Sequence, residues 1–248
     1  MSQAVHRAMT VIELLAGGPR RLTEVADHLG VHKSTALRLL RTLQAGDFAR
    51  RRPDGAWAVG LGLLGIAQLT LDSLDVRPVA RDRLEWLGRR CGHTVHLGQL
   101  VDGEVVYVDK VEARSPVRMH SRIGRTAPAH ATGIGKVILA YRPEPARSAL
   151  LARHELRPFT PATISDPARL RADLAAVAER GWAEDDGEFE ALVNCVAAPV
   201  RGADGTVRAA VSVTAPKVVA TLADLRHVVP DLLTTADGIS RDLGWSGP

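Results

Sequence analysis

The first hydrophobic positions of the chain recur at helical spacing. Val5, Ala8, Met9, Ile12, Leu15 and Ala16 share one face, and Gly17-Gly18-Pro19 stops the pattern. A shorter stripe of Val25, Ala26 and Leu29 predicts a second helix, with Thr23 as its cap and Gly30 as its left-handed end. A third helix begins after two residues. Ala36, Leu37, Leu40 and Leu43 form its inward stripe, Lys33, Ser34, Thr35, Arg38 and Arg41 its outward face, and Gly46 its end. Two short helices joined by a glycine-containing turn are a helix-turn-helix unit, whose second helix enters the DNA major groove. The period then changes. Residues 48–60 hold two strand-like runs around Pro53-Asp54-Gly55, a wing carrying Arg50, Arg51 and Arg52.

Residues 61–74 are apolar on more than one helical face, which asks for burial against something outside a small module. The same segment of a second subunit is the expected partner. Pro78 starts a further helix to about residue 90, with Val79, Leu84 and Leu87 buried. Beyond Gly92 the pattern alternates. Residues 93–101 and 104–111 around Asp102-Gly103 predict a hairpin, and residues 117–123 a strand. Residues 132–141 predict a helix, and Ser165-Asp166-Pro167 starts another that ends at Gly181. Residues 193–200 and 207–214 read as strands, and Thr221 with Asp224 caps a terminal helix that Pro230 kinks. The assembly expected is α+β: a winged helix-turn-helix over residues 1–60, a helical linker over 61–91, and an antiparallel sheet flanked by helices over 92–248.

Charge sharpens the reading of the N-terminal part. Residues 1–60 hold nine Lys or Arg against five acids, an excess that equals the formal +4 of the whole 248-residue chain. A basic head on a neutral body implies double-stranded DNA as the partner of the head alone, with Lys33, Ser34, Thr35, Arg38, Arg41, Arg51 and Arg52 as the contact residues. With 46% hydrophobic residues the chain can bury a core. It has neither a signal-peptide pattern nor a run of about 20 apolar residues, so a cytoplasmic protein away from the membrane is expected. Cys91 and Cys195 are too few for a disulfide framework. His93 and His96, three apart on a strand, point to opposite faces, so no metal or cofactor is expected. Neither G-x-S-x-G nor H-E-x-x-H occurs, and no catalytic residue is assigned. Two alternatives stand beside this reading: an enzyme acting on a small organic acid, and an architectural DNA-binding protein whose larger part only oligomerises.

Three groups of segments carry a resemblance to a known family. They are Leu22-Thr-Glu-Val-Ala-Asp-His-Leu-Gly with Lys33-Ser-Thr-Ala-Leu-Arg-Leu-Leu; Arg122-Ile-Gly-Arg-Thr-Ala-Pro-Ala-His-Ala-Thr-Gly-Ile-Gly-Lys; and Asp185-Asp-Gly-Glu-Phe-Glu with Cys195-Val-Ala-Ala-Pro-Val and Ala210-Val-Ser-Val-Thr-Ala-Pro. In this order they resemble the IclR family of bacterial transcriptional regulators. The resemblance implies a GAF-like C-terminal domain that binds a small effector, often an organic acid. It also implies a homodimer or dimer of dimers, and a repressor more readily than an activator. By the same resemblance the effector-binding residues are Gly133, Ile134, Gly135, Glu188, Cys195, Ser212 and Thr214, with His130 beside them. Their chemistry agrees with the role: Thr132-Gly-Ile-Gly opens a helix, where bare backbone N–H groups and the positive helix end can hold a carboxylate.

Overall fold

The computed structural model describes residues 2–72, 76–113 and 121–247. The strand expected at 117–123 lies outside the described residues up to 120, and Ser121, Arg122 and Ile123 belong to no strand. Residues 73–75 of the expected linker also lie outside. The chain divides into two compact units, Met1–Ser73 and Leu74–Pro248.

In the first unit α1 (Gln3–Ala16), α2 (Leu22–Leu29) and α3 (Lys33–Ala45) pack their apolar stripes together, with Val11, Leu15, Val25, Ala36 and Leu40 all fully buried. The α2–α3 turn follows the expected plan, Gly30 taking φ 61° where a β-carbon would be strained. Its start does not. Thr23 lies inside the first turn, and the cap position is Arg21, whose backbone N–H donates to Glu24 Oε2 at 2.6 Å. A carboxylate three residues on satisfies an orphan donor that a hydroxyl at residue 23 cannot reach. Strands β1 (Ala49–Arg51) and β2 (Trp57–Val59) form the wing, pairing Ala49 with Val59 and Arg51 with Trp57. Trp57 also exchanges two backbone hydrogen bonds with Arg20, at 2.7 and 2.8 Å, so the segment before α2 fixes the wing to the helices. Helix α4 (Gly62–Asp72) follows, with Leu61 at its entrance and Leu64 and Leu69 along it all more than 60% exposed.

In the second unit α5 (Val76–Cys91) begins before Pro78, which therefore sits in the first turn, where its missing N–H costs nothing. It buries Val76, Ala80, Leu84 and Leu87, whereas Val79 is only half-buried. The chain continues through β3 (Thr94–Val101), β4 (Glu104–Val111), β5 (Thr126–Pro128), α6 (Gly133–Ala140), α7 (Glu144–Arg153), α8 (Pro167–Arg180), β6 (Ala183–Asp186), β7 (Val193–Arg201), β8 (Val207–Pro216), α9 (Leu222–Arg226) and α10 (Val229–Asp242). The two short edge strands β5 and β6, and α7, carry too little periodicity to be foreseen. The expected helix kinked at Pro230 is two helices: Thr221 and Asp224 cap the short α9, and Pro230 lies in the first turn of α10.

The strands form one antiparallel sheet in the order β5-β4-β3-β8-β7-β6. Period-two alternation gives it two different faces. Val95, Leu97, Val196, Val211 and Val213 pack against α5 and α10. Val105, Ala197 and Ala210 pack on the other side against α6 and α8. Ion pairs Arg81–Asp109 (2.9 Å), Arg83–Asp242 (2.6 Å) and Arg90–Asp231 (2.7 Å) tie α5 to the strands and to α10. No helix among the described residues is long and apolar enough to cross a membrane.

Candidate functional site

In the first unit the outward face of α3 carries Lys33, Ser34, Arg38 and Arg41, all exposed, with Thr35 half-buried at its edge. His32 stands at the cap position, its Nδ1 accepting from Ser34 N–H at 3.4 Å, so the helix opens with a polar, cationic rim. Among the described residues Lys33, Arg38, Arg41 and Arg51 make no ion pair, and Arg52 meets only Asp54 at 3.5 Å in its own turn. Arg50 differs: its Nε donates back to Val59 O at 3.3 Å, across the wing. Cations left without acidic neighbours on one convex element suit a polyanion, and the positive end of a helix adds to the field.

In the second unit a cavity of about 40 Å³ lies between the α6 side of the sheet and the start of α6. That is room for roughly three waters. Sheet register explains its wall. Asp185 pairs with Cys195 and Cys195 with Thr214, while His96 pairs with Ser212 one step along, so these five side chains share one face of four adjacent strands. Tyr107, Ser121, Phe189, Glu190 and Val193 close the remaining sides. Thr132 caps α6: its Oγ1 accepts from Gly135 N–H at 3.3 Å and donates to Pro128 O at 3.0 Å. The Gly133 and Ile134 N–H groups, the first two of the helix, find no acceptor among the described residues, and both residues line the cavity. A β-carbon on Gly133 would come within 3.1 Å of Cys195 Sγ, so glycine is what lets the helix end approach the sheet.

The sheet side of the wall carries little charge, and Glu190 adds a carboxylate from the loop after β6. Burial and the nearby Lys110 push His96 down to about 3, so its imidazole is neutral at physiological pH. Burial pushes the Cys195 thiol up to about 12 and the Tyr107 phenol upward as well. Asp185 is raised to about 7, first by burial, so near neutrality its carboxyl is shared between protonated and ionised forms. The sheet side of this wall, uncharged while Asp185 is protonated, faces the two N–H donors at the helix start and can hold an anionic group there, with Glu190 the other carboxylate of the lining.

Five of the eight expected effector residues line this cavity: Gly133, Ile134, Cys195, Ser212 and Thr214. Three do not. His130 Nε2 bonds Arg157 O at 3.1 Å and its ring lies 5.9 Å from that of Phe159. Gly135 faces Ala129, whose carbonyl oxygen would be 2.1 Å from a β-carbon, so its glycine serves close packing. Glu188 points away to Lys136, which is 2% exposed and lies 2.5 Å from Glu188 and 3.0 Å from Asp173. Burial works against the Lys136 charge, but the two carboxylates outweigh it and hold its pKa above the ordinary value. Glu188 still matters to the wall through its backbone. Its N–H donates to Asp185 Oδ1 at 2.7 Å and its carbonyl accepts from Thr163 Oγ1 at 2.6 Å, fixing the loop that carries Phe189. The residues that sequence reasoning missed are His96, Tyr107, Ser121, Asp185, Phe189, Glu190 and Val193. Alternation places His96 two positions from Gly98, the residue paired with Tyr107, and so on the same face. His93 in fact precedes β3, and no group of three metal-ligating side chains occurs among the described residues.

Known proteins share both units. Residues 4–53 match the family model "IclR helix-turn-helix domain", and residues 68–241 match "Bacterial transcriptional regulator IclR C-terminal". The transcriptional regulator XynR of Escherichia coli K12 is 35% identical over 246 residues, covering 98% of each chain. A crystal structure of the Thermotoga maritima IclR aligns with TM-score 0.89 at 30% identity, over 97% of this chain and 98% of the other. An IclR homologue from Microbacterium hydrocarbonoxydans, complexed with 4-hydroxybenzoate, aligns with TM-score 0.80 at 26% identity, over 97% and 99%.

Proposed function

The chain belongs to the IclR family of bacterial transcriptional regulators, and on that premise we propose which residues grip the operator and which part of the second unit takes the effector. It is a DNA-binding regulator under small-molecule control, and neither its family nor its relatives are enzymes. In our reading the DNA contacts come from Lys33, Ser34, Thr35, Arg38 and Arg41 of α3, lying in the major groove, and from Arg51 and Arg52 of the wing along the phosphates. Ser34, Thr35 and Arg38, near the helix start, read base edges. Two heads are joined through the exposed Leu61, Leu64 and Leu69, giving a homodimer on a two-fold symmetric site in the cytoplasm. The empty protein represses and the effector releases it.

The effector is a small carboxylate seated on the Gly133 and Ile134 N–H groups. One observation carries this: two helix-start donors that find no acceptor among the described residues open into a polar cavity. The bound 4-hydroxybenzoate of the Microbacterium relative, itself a carboxylate, supports it. Calorimetric titration of short carboxylic acids into the wild type and Gly133→Ala tests it. The wild type binds, and the variant, whose new methyl sits 3.1 Å from Cys195 Sγ, loses at least tenfold while still binding operator DNA. Equal affinities in the two proteins would refute the assignment.

A further inference from the structure

The carboxylate reading accounts for one end of the cavity and leaves the other unexplained. There His96, only 2% exposed, stands on β3 with its ring 4.9 Å from that of Tyr107. Its Nε2 lies 2.7 Å from Ser121 Oγ and its Nδ1 3.4 Å from Thr214 Oγ1, which lies 3.5 Å from Ser212 Oγ. All five residues line the same cavity. The Ser121 backbone is itself pinned, its carbonyl accepting from Lys110 Nζ at 2.8 Å. Four hydroxyls and an imidazole converging on a space this small are more than packing requires. A buried wall built only to exclude water would be apolar, because each polar group left unpaired there costs free energy.

The groups also exclude a second anion. The His96 ring is neutral, so it offers one N–H and one lone pair but no counter-charge. Lys110, whose charge acts on His96, holds the Ser121 carbonyl and pairs with Glu112 at 2.8 Å. A group able both to donate and to accept matches this end, and a hydroxyl does both. Resting on the carboxylate assignment above, we propose that the effector is a short hydroxy-acid, and that His96, with Ser121 and Thr214, is the specificity-determining residue that binds its hydroxyl. The ligand hydroxyl takes over the bond that Ser121 Oγ now makes with His96 Nε2.

Three acids of equal chain length separate the ideas: propionate, lactate and glycerate, titrated calorimetrically into the full chain. Lactate or glycerate binds at least tenfold more tightly than propionate, because a site built to bond a hydroxyl rejects the analogue that lacks it. In His96→Leu this preference collapses to within twofold. Ser121→Ala, at a half-buried position outside any strand, loses part of the preference and serves as the deciding variant should the leucine protein fail to fold. Equal binding of all three acids by the wild type overturns this inference and leaves the carboxylate seat standing. Absence of binding by any of them at millimolar concentration overturns the carboxylate seat and this inference with it. Preserved preference in both variants removes His96 and Ser121 from recognition.

Discussion

Single residues decide what the cavity can hold, and two of them predict measurable behaviour. Asp185, raised to about 7 by burial, faces the space assigned to an anion. Ionising it puts a negative charge beside the bound carboxylate, so acid affinity falls as pH rises through 7 and levels off below it. Asp185→Asn removes that dependence in a titration series from pH 6 to 8. The same shift has a stability consequence. The folded carboxyl binds its proton more tightly than the unfolded one, so this contribution is fully present below about 4, the unfolded carboxyl's range, and is lost as pH rises to 7. Lys136 is the second case. Lys136→Met leaves Glu188 buried without its cation, and breaking a buried pair costs about 3–5 kcal/mol. Lys136→Met/Glu188→Gln costs less than the single change, as urea unfolding of the full chain will register. None of this was legible from residue types. Glu188 was expected to meet ligand from the family resemblance, yet a lysine fifty-two positions away, reached only through the fold, turns it aside.

Elements were legible where their signals are local. Alternation placed Ser212 and Thr214 on one face, and Asp166, Pro167 and Gly181 bound α8 as their cap chemistry requires. Signals failed where partners are distant: β5 and β6 are edge strands of three and four residues, recognisable only by pairing. The wall escaped for the same reason, since His96, Asp185 and Ser212 meet only through a register that links β3, β6, β7 and β8. For α3 and the wing the account predicts graded effects. Arg38→Ala and Arg41→Ala weaken operator binding, and each lowers the slope of log affinity against log salt by about 1 if it neutralises a phosphate. Arg51→Ala follows them, whereas Arg50→Ala has less effect because its guanidinium is bonded back to Val59 O. Fluorescence anisotropy over a salt series reads all four. Leu40→Ala, at a fully buried position of α3, costs about 2–5 kcal/mol and melts the head.

For the whole molecule the division into a cationic head and a charge-balanced body was evident from the sequence, because net charge needs no fold to be counted. The α4 face is the feature that asks for a second copy. If the proposed homodimer forms through that face, Leu64→Glu and Leu69→Glu shift sedimentation from dimer toward monomer and weaken DNA binding, because a single head grips only half a site. An unchanged dimer would move the interface elsewhere. The claim on which the rest depends is that one chain couples DNA affinity to a small acid, and coupling between two sites is reciprocal. The most direct measurement is the operator Kd for DNA upstream of the chain's own gene, at fixed salt, with and without a saturating short hydroxy-acid. The account predicts at least a tenfold weakening with acid, absent in Gly133→Ala. A Kd unmoved by any acid that calorimetry shows to be bound would contradict it.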